Sequence, residues 1–353
     1  MKRWIVAVLA MGMICGCGQD PQDVEEVVLS DQQPMKVTVG ASPVASSAGI
    51  FLAYEQGYFA EQGLDVDITA FKHSGAPMTV LLASGKLDVG AGSLSAGLWN
   101  AMNQGENLRL VADKGHQSEG HGYMALLVRT DHIESGRYKT YADLKGFKMA
   151  SSSLNGTSIQ IITDRFLEAG GKDLADVDMI KLGFPDVNLA LAKKLIDAAV
   201  QLEPFISKAE LSGTAKKIAS AQDIYPGAQT AAIFYSPHFI AKGREFGEKF
   251  MIAYLKGVRD YENAFIHGVN REQITALLKR HVKIADDAVW NNMIPIGLNP
   301  DGYLNTKVIA DDMTWYKDMG FIERIPDMDT VVDHSFVDAA LVKLGRYSPP
   351  TRK

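Results

Sequence analysis

Two hydrophobic periods alternate along this chain. Lys36-Val37-Thr38-Val39-Gly40 alternates as a strand does, and Ala41 to Ala48 is a turn of small residues. Gly49 to Gly57 then reads as a helix ended by its glycine. Leu64-Asp65-Val66-Asp67-Ile68 alternates as a second strand, a helix, a strand and a helix follow through Trp99, and 108–112 is another short strand. Tyr123 to Val128 is a strongly apolar strand leading out of this first group, and 139–146 is a short connecting helix. Phe147 to Ile159 then repeats the opening construction. A short apolar strand runs into a turn of serines, Asn155 and Gly156, and on into a helix with apolar residues at 159, 162, 166 and 167. Strands at 177–182 and 198–200 flank a helix near 187–195, and 230–235 is an apolar strand placed to return to the first group. From Lys242 onward the pattern is helical, over 246–265, 271–281, 306–318 and 334–344, and these helices are expected mainly on the first group. Strands alternating with helices indicate parallel α/β organisation.

At 353 residues the chain exceeds the size at which one core usually keeps growing, which predicts two lobes. Charged residues at 22% are ordinary for a globular protein, while a formal charge of −6 without a polybasic patch argues against a nucleic-acid surface. A weak internal echo supports two lobes of like topology. Ala83 to Asp88 and Ala192 to Asp197 share an Ala-x-x-x-apolar-Asp frame, each before a small-residue strand.

The N-terminus reads differently. Lys2 and Arg3 precede an apolar run from Trp4 to Cys15, followed by Gly16, Cys17 and polar residues, which is the pattern of an export signal. Ile14-Cys15-Gly16-Cys17 resembles the bacterial lipobox, which implies a signal over 1–16, lipidation of Cys17 and a polar, acidic tether over 17–34. Cys15 and Cys17 are the only cysteines, so the body that follows has no disulfide, thiolate metal site or cysteine nucleophile.

Several stretches, in order and spacing, resemble one family over nearly the whole remaining chain. Gly49 to Val66 resembles the "Ala-x-x-x-Gly-Tyr-Phe-x-x-x-Gly-Leu-x-Val" run of periplasmic solute-binding proteins, and Ser84 to Gly90 their "small-Gly-x-x-Asp" step. Tyr141 to Ala150 resembles their "Asp-Leu-Lys-Gly-Lys-x-Val-Ala" run, and Glu203-Pro204-Phe205 their "Glu-Pro" turn. The branch is that of the nitrate/sulfonate/taurine and thiamine-pyrimidine-precursor binding proteins of ABC importers. The resemblance implies a two-lobed periplasmic-binding-protein (type II) fold. Each lobe is a mostly parallel sheet flanked by helices, with two crossing segments between lobes and C-terminal helices. Lobe 1 is expected over 35–128 and 233–353 and lobe 2 over 129–232. A small molecule would be trapped between them and delivered to ABC permease and ATPase subunits, with the protein held by its lipid on the envelope, facing the periplasm or the outer surface. Neither a cofactor nor a metal is expected.

Candidate ligand contacts come first from the helix-start turns: Ser46 and Ser47 in one lobe, Gly156, Thr157 and Ser158 in the other. Their hydroxyls and backbone N–H groups suit a polar or anionic ligand end, or else cap their own helices. His73, Ser74 and Gly75 lie in a loop that the resemblance puts at the cleft mouth, and Ser93 follows its strand in the same way. Asp88 reads as structural, closing a turn, and Trp99 and Trp290 read as core. The loop from His116 to Tyr123 is the least ordinary, although it also reads as a plain solvated loop. Tyr123 could stack on a heteroaromatic ligand while Glu119 accepts a ring N–H; His116, Glu119 and His121 are also metal-ligand types, though their spacing matches no metal motif. Glu203 follows a strand end, where an α/β sheet usually faces its ligand. The inferred cleft contains no arginine, Arg129 on the crossing excepted, which disfavours sulfonate or nitrate and favours a neutral or aromatic ligand.

Two other functions remain open. One is an enzyme, because the fold is shared by a pyrimidine-precursor synthase; that relative carries a cysteine-rich run which this chain lacks, and no G-x-S-x-G, HExxH or P-loop is present, leaving Glu119 with His121 as the one acid–base pair. The other is a ligand sensor that uses the same cleft without transport.

Overall fold

The alternating runs become ten strands among the described residues of a computed structural model, which describes residues 33–71 and 76–351. In chain order the strands are β1 (Met35–Ala41), β2 (Leu64–Ala70), β3 (Val89–Ser93), β4 (Arg109–His116), β5 (Met124–Arg129), β6 (Lys148–Ser151), β7 (Asp178–Lys181), β8 (Ala198–Leu202), β9 (Ala215–Ser220) and β10 (Gln229–Tyr235). They form two five-stranded sheets, ordered β2-β1-β3-β10-β4 and β7-β6-β8-β5-β9. The two orders are the same pattern. In each sheet four strands run in one direction and the remaining one, fourth in the order, runs antiparallel between its two neighbours.

The antiparallel strand of each sheet is exchanged between the two halves. β5 lies in the second sheet, between β8 and β9, and β10 returns to the first, between β3 and β4. The sheets therefore change hands over 117–123 and 221–228, and not at 129 and 232 as the sequence suggested. β5 is buried along its whole length, so its apolarity reflects central pairing in the second sheet and not an exit from the first.

The echo at Asp88 and Asp197 has a structural counterpart. Asp88 Oδ2 accepts from the Thr38 N–H at 2.9 Å and pairs through Oδ1 with Lys242, while Asp197 Oδ2 accepts from the Lys148 N–H at 2.9 Å and pairs with His132. Each carboxylate ties the chain just before one parallel strand to the strand beside it, β3 to β1 and β8 to β6.

The long helix Arg244–Phe265 buries Gly247, Phe250, Met251, Tyr254, Val258 and Tyr261 along one stripe, as its 3.6-residue apolar spacing requires. It crosses the helix Ala48–Glu55 at backbone distance, since a Cβ on Gly257 would stand 2.2 Å from the Gly49 carbonyl oxygen. Gly257→Ala is therefore expected to destabilise the protein by about 3 kcal/mol. A urea midpoint equal to that of the parent protein would refute this crossing. Trp99 and Trp290 are both core residues. No described helix is long and apolar enough to cross a membrane, and the expected signal and Cys17 lie outside the described residues.

Candidate functional site

The carboxyl ends of β1, β3, β6 and β8 converge on one place, as open α/β sheets direct them to do. The chain leaves β1 through Ser42 and Pro43, makes a 3-10 turn at Ala45–Ser47 and enters the helix Ala48–Glu55. It leaves β6 through Ser152 and turns at Gly156, which has φ +70°. Thr157, in extended conformation, then precedes the helix Ser158–Glu168. Neither Ser47 nor Thr157 caps its helix through its side chain, and the hydroxyls of Ser42, Ser47 and Thr157 are buried without a hydrogen-bond partner. Three hydroxyls without a protein partner in one region are unusual, because burying such a group without a partner costs free energy.

A cavity of ≈ 20 Å³ lies between the two corners, bordered by Ser42, Ser46, Lys114, Ser158 and Thr230 on its polar side and by Val44, Met124, Ile159, Phe184 and Leu202 on its apolar side. Ser93 and Tyr123 also reach it. That volume holds water and not an organic molecule, so a larger occupant requires the lining to move outward. They meet through a backbone clasp. Ala96 N–H donates to the Gly156 carbonyl at 3.0 Å, Ser158 N–H donates to the Leu94 carbonyl at 3.2 Å, and Ser158 Oγ donates to the Thr230 carbonyl at 2.9 Å. Further out, Trp315 Nε1 donates to Asp164, Tyr225 donates to Asp312, and Ile294 N–H donates to Glu203.

The candidates from sequence divide accordingly. Ser46, Ser93, Tyr123 and Ser158 border the cavity, and Ser47 is buried just behind Ser46. Gly156 and Thr157 lie in the clasp. The Gly156 N–H is taken by Gln160 Oε1 at 2.8 Å and is not available to a ligand. Glu203 is buried beside the cavity but does not border it, and accepts from the Ser207 N–H and hydroxyl as well as from Ile294. Burial outweighs those donors and Lys217's charge and pushes its pKa up to about 7. Burial likewise pushes Asp312 up to about 7 against the Tyr225 hydrogen bond. His73, Ser74 and Gly75 lie outside the described residues.

The His116–Tyr123 loop departs from expectation. Glu119 is exposed and does not border the cavity, and its carbonyl rather than its carboxylate is hydrogen-bonded to His121 Nδ1. His116 is bound to Asp113 at 3.1 Å; burial works against its charge, yet the Asp113 carboxylate leaves its pKa raised. Among the described residues no cluster of three histidines or carboxylates is arranged to hold a metal ion. Tyr123 borders the cavity with its hydroxyl bonded to Thr230 Oγ1. Burial raises its pKa.

Sequence reasoning missed Lys114, Ser42, Thr230 and the apolar border. The sequence reading looked for an arginine, whereas the charged side chain at the cavity border is Lys114, whose Nζ donates to Ser46 Oγ at 2.9 Å and which is 3% exposed. Burial lowers its pKa to about 7, with Asp113 opposing. The available signal was a charged pair, Asp113-Lys114, inside an apolar strand that runs on to His116 instead of ending at 112. Arg129 is away from the cleft, paired with Asp131 and Asp197. It ends β5, which runs antiparallel to β8, so it lies at the opposite edge of the second sheet from Glu203.

A family profile described as NMT1/THI5 like matches residues 44–263, well over half of the chain, and the protein belongs to that family. A candidate binding protein of Brucella abortus is 27% identical over 260 residues, covering 73% of this chain and 74% of its own. Among solved structures, the periplasmic nitrate-binding protein NrtA from Synechocystis PCC 6803 superposes with a TM-score of 0.74 at 13% identity, over 88% of this chain and 89% of that one. The periplasmic aliphatic sulphonate binding protein SsuA from Escherichia coli gives 0.67 at 19% identity, over 86% and 99%. The desulfurization enzyme DSZB gives 0.60 at 15% identity, over 88% and 99%. The fold is therefore that of two-lobed periplasmic binding proteins and is shared with an enzyme.

Proposed function

We propose that this protein is the solute-binding component of an ABC importer. Two lobes, built on the first sheet (residues 35–116 and 229–351) and on the second (124–220), part about the crossings at 117–123 and 221–228 and close on a small organic molecule. The observation that carries this reading is the clasp of Leu94 and Ala96 with Gly156 and Ser158, formed over a cavity lined by hydroxyls from both sides. A short backbone contact of that kind is reversible, and it encloses whatever lies behind it. Family membership and the likeness to importer components support the same role.

Binding is favoured over turnover. Among the described residues the cavity border holds no histidine, carboxylate or cysteine, and in its one hydroxyl–amine pair Lys114 donates to the Ser46 oxygen instead of accepting its proton. A saturating ligand at a hundredfold excess over its Kd is expected to stabilise the protein by about 2.7 kcal/mol. Small-angle scattering of the same samples should show a smaller radius. Turnover of the bound compound, or stabilisation without compaction, would overturn the reading.

Lipidation at Cys17 would hold the domain at the membrane on its polar tether, outside the cytoplasm and beside permease and ATPase partners. Cys17→Ser is expected to move the protein from the membrane fraction to the soluble extracytoplasmic one. An unchanged distribution would exclude the anchor.

A further inference from the structure

Resting on the solute-binding reading, we propose that the ligand carries an anionic end that closes on Lys114, and that its capture draws a proton onto that lysine. Lys114 borders the cavity on β4, and its hydrogen bond is to the neutral hydroxyl of Ser46. Among the described residues no carboxylate lies within ion-pair distance of its Nζ, and none borders the cavity. The charged neighbour along the strand, Asp113, is occupied by other donors: the Gly115 and Asn299 N–H groups, Gln229 Nε2 and His116 Nδ1. Tyr123, on the first crossing, is tied to Thr230 and stays a neutral phenol. The corner at 42–47 presents only hydroxyls and Val44, and the second half presents Ser158, Ile159, Phe184, Met124 and Leu202, none of them titratable near neutral pH.

A cation enclosed without a counter-ion is the complement of an anionic group. Ser42 Oγ, buried without a partner, and Ser46 Oγ, which accepts from Lys114 and keeps its own proton, add donors of the kind a sulfonate, carboxylate or phosphate oxygen accepts. The apolar border beyond them suits a hydrocarbon or aromatic body. The ligand class is a small organic anion with an apolar remainder.

The proton follows from the burial. In the free protein burial holds the lysine pKa at about 7, so above that pH the amine is mostly neutral. An anion beside it restores the ordinary preference for the ammonium form. Binding above pH 7 then consumes a proton, and affinity falls up to ~10-fold per pH unit, while below pH 7 it is flat for a fully ionised ligand. A neutral ligand that donates N–H to the neutral amine would instead gain affinity as the pH rises toward 7 and show no slope above it.

The test uses matched probes: benzenesulfonate with benzenesulfonamide, benzoate with benzamide, and hexanoate with hexanamide. Titration calorimetry at pH 6.5, 7.5 and 8.5, in two amine buffers of different ionisation heat, measures affinity and proton uptake together. The expected result is an anion bound at least ~100-fold more tightly than its neutral partner. Its Kd should rise close to ~10-fold from pH 7.5 to 8.5, with up to one proton taken up. Lys114→Met should abolish both affinity and slope, and Lys114→Arg should keep anion binding without the slope, because a guanidinium stays charged. Melting curves of both variants confirm that they are folded. Neutral partners binding as well as anions, or a flat or reversed slope, would overturn the proposal and leave the solute-binding reading standing. Failure of every probe, anionic and neutral, to bind or compact the protein would overturn both.

Discussion

Gly156→Ala is expected to keep the two lobes from closing and to weaken ligand binding by ~100-fold, which corresponds to about 3 kcal/mol of overlap. Gly156 has φ +70°, and a Cβ built there would stand 2.8 Å from the Ala96 Cβ and 2.9 Å from the Phe321 Cγ. Ala96 begins a helix beside the first sheet, whereas Gly156 belongs to the corner after β6 in the second. The overlap therefore arises only when the lobes meet. The left-handed backbone costs an alanine ~1–2 kcal/mol, but that cost is paid in the open and closed forms alike and does not enter the affinity. Gly156→Asn separates the two effects. Asparagine tolerates the left-handed region and still carries a Cβ, so it should lose nearly as much affinity while keeping more stability. Scattering with and without ligand reads closure directly, and a variant that closes with parental Kd would refute the clasp.

Lys114→Met is expected to make the ligand-free protein more stable. Folding lowers this lysine's pKa from 10.5 to about 7, so between those values the unfolded chain binds the proton that the folded chain has released. Stability on account of this group is therefore highest above pH 10.5, declines as the pH falls through that window, and reaches its low plateau below pH 7. The full penalty is at most about 5 kcal/mol, and part of it is offset in the variant by the loss of the hydrogen bond to Ser46. Methionine, flexible and of similar length, fills the space without charge. A gain of about 5 °C or more in Tm at pH 6, shrinking toward pH 9.5, is the expected signature. A variant less stable than its parent at pH 6, or a gain independent of pH, would show that the lysine is not held as a buried, poorly paired cation. Stability sacrificed at a binding residue is the usual cost of a functional site.

These two residues also mark how far the site could be read from the chain. Gly156 was visible as the turn of a strand–turn–helix corner, and the expectation that its N–H would face a ligand was reasonable from local structure alone. Contacts with Ala96 and Gln160 decide otherwise, and the first of those lies across the cleft. Lys114 was invisible because a single charged residue near the end of an apolar run usually marks where a strand reaches water. Here the strand continues, and the space between the two halves encloses the side chain. Glu119 is a third case. Its neighbours His116 and His121 drew attention by residue type, yet a turn at Gly120 leaves the carboxylate in solvent.

By itself the sequence determined the local elements and their class: alternating strands, the amphipathic helix over 244–265, glycine-ended turns and the paired hydroxyl corners. All of these depend on neighbours within a few residues, where periodicity and turn chemistry act. Only the tertiary structure decided which sheet each apolar strand joins. β5 and β10 are both buried along their whole length, and their exchange depends on pairing with strands tens of residues away. The tertiary structure also decided that Lys114 is buried at the cavity border, because desolvation is a property of the surroundings and not of the residue.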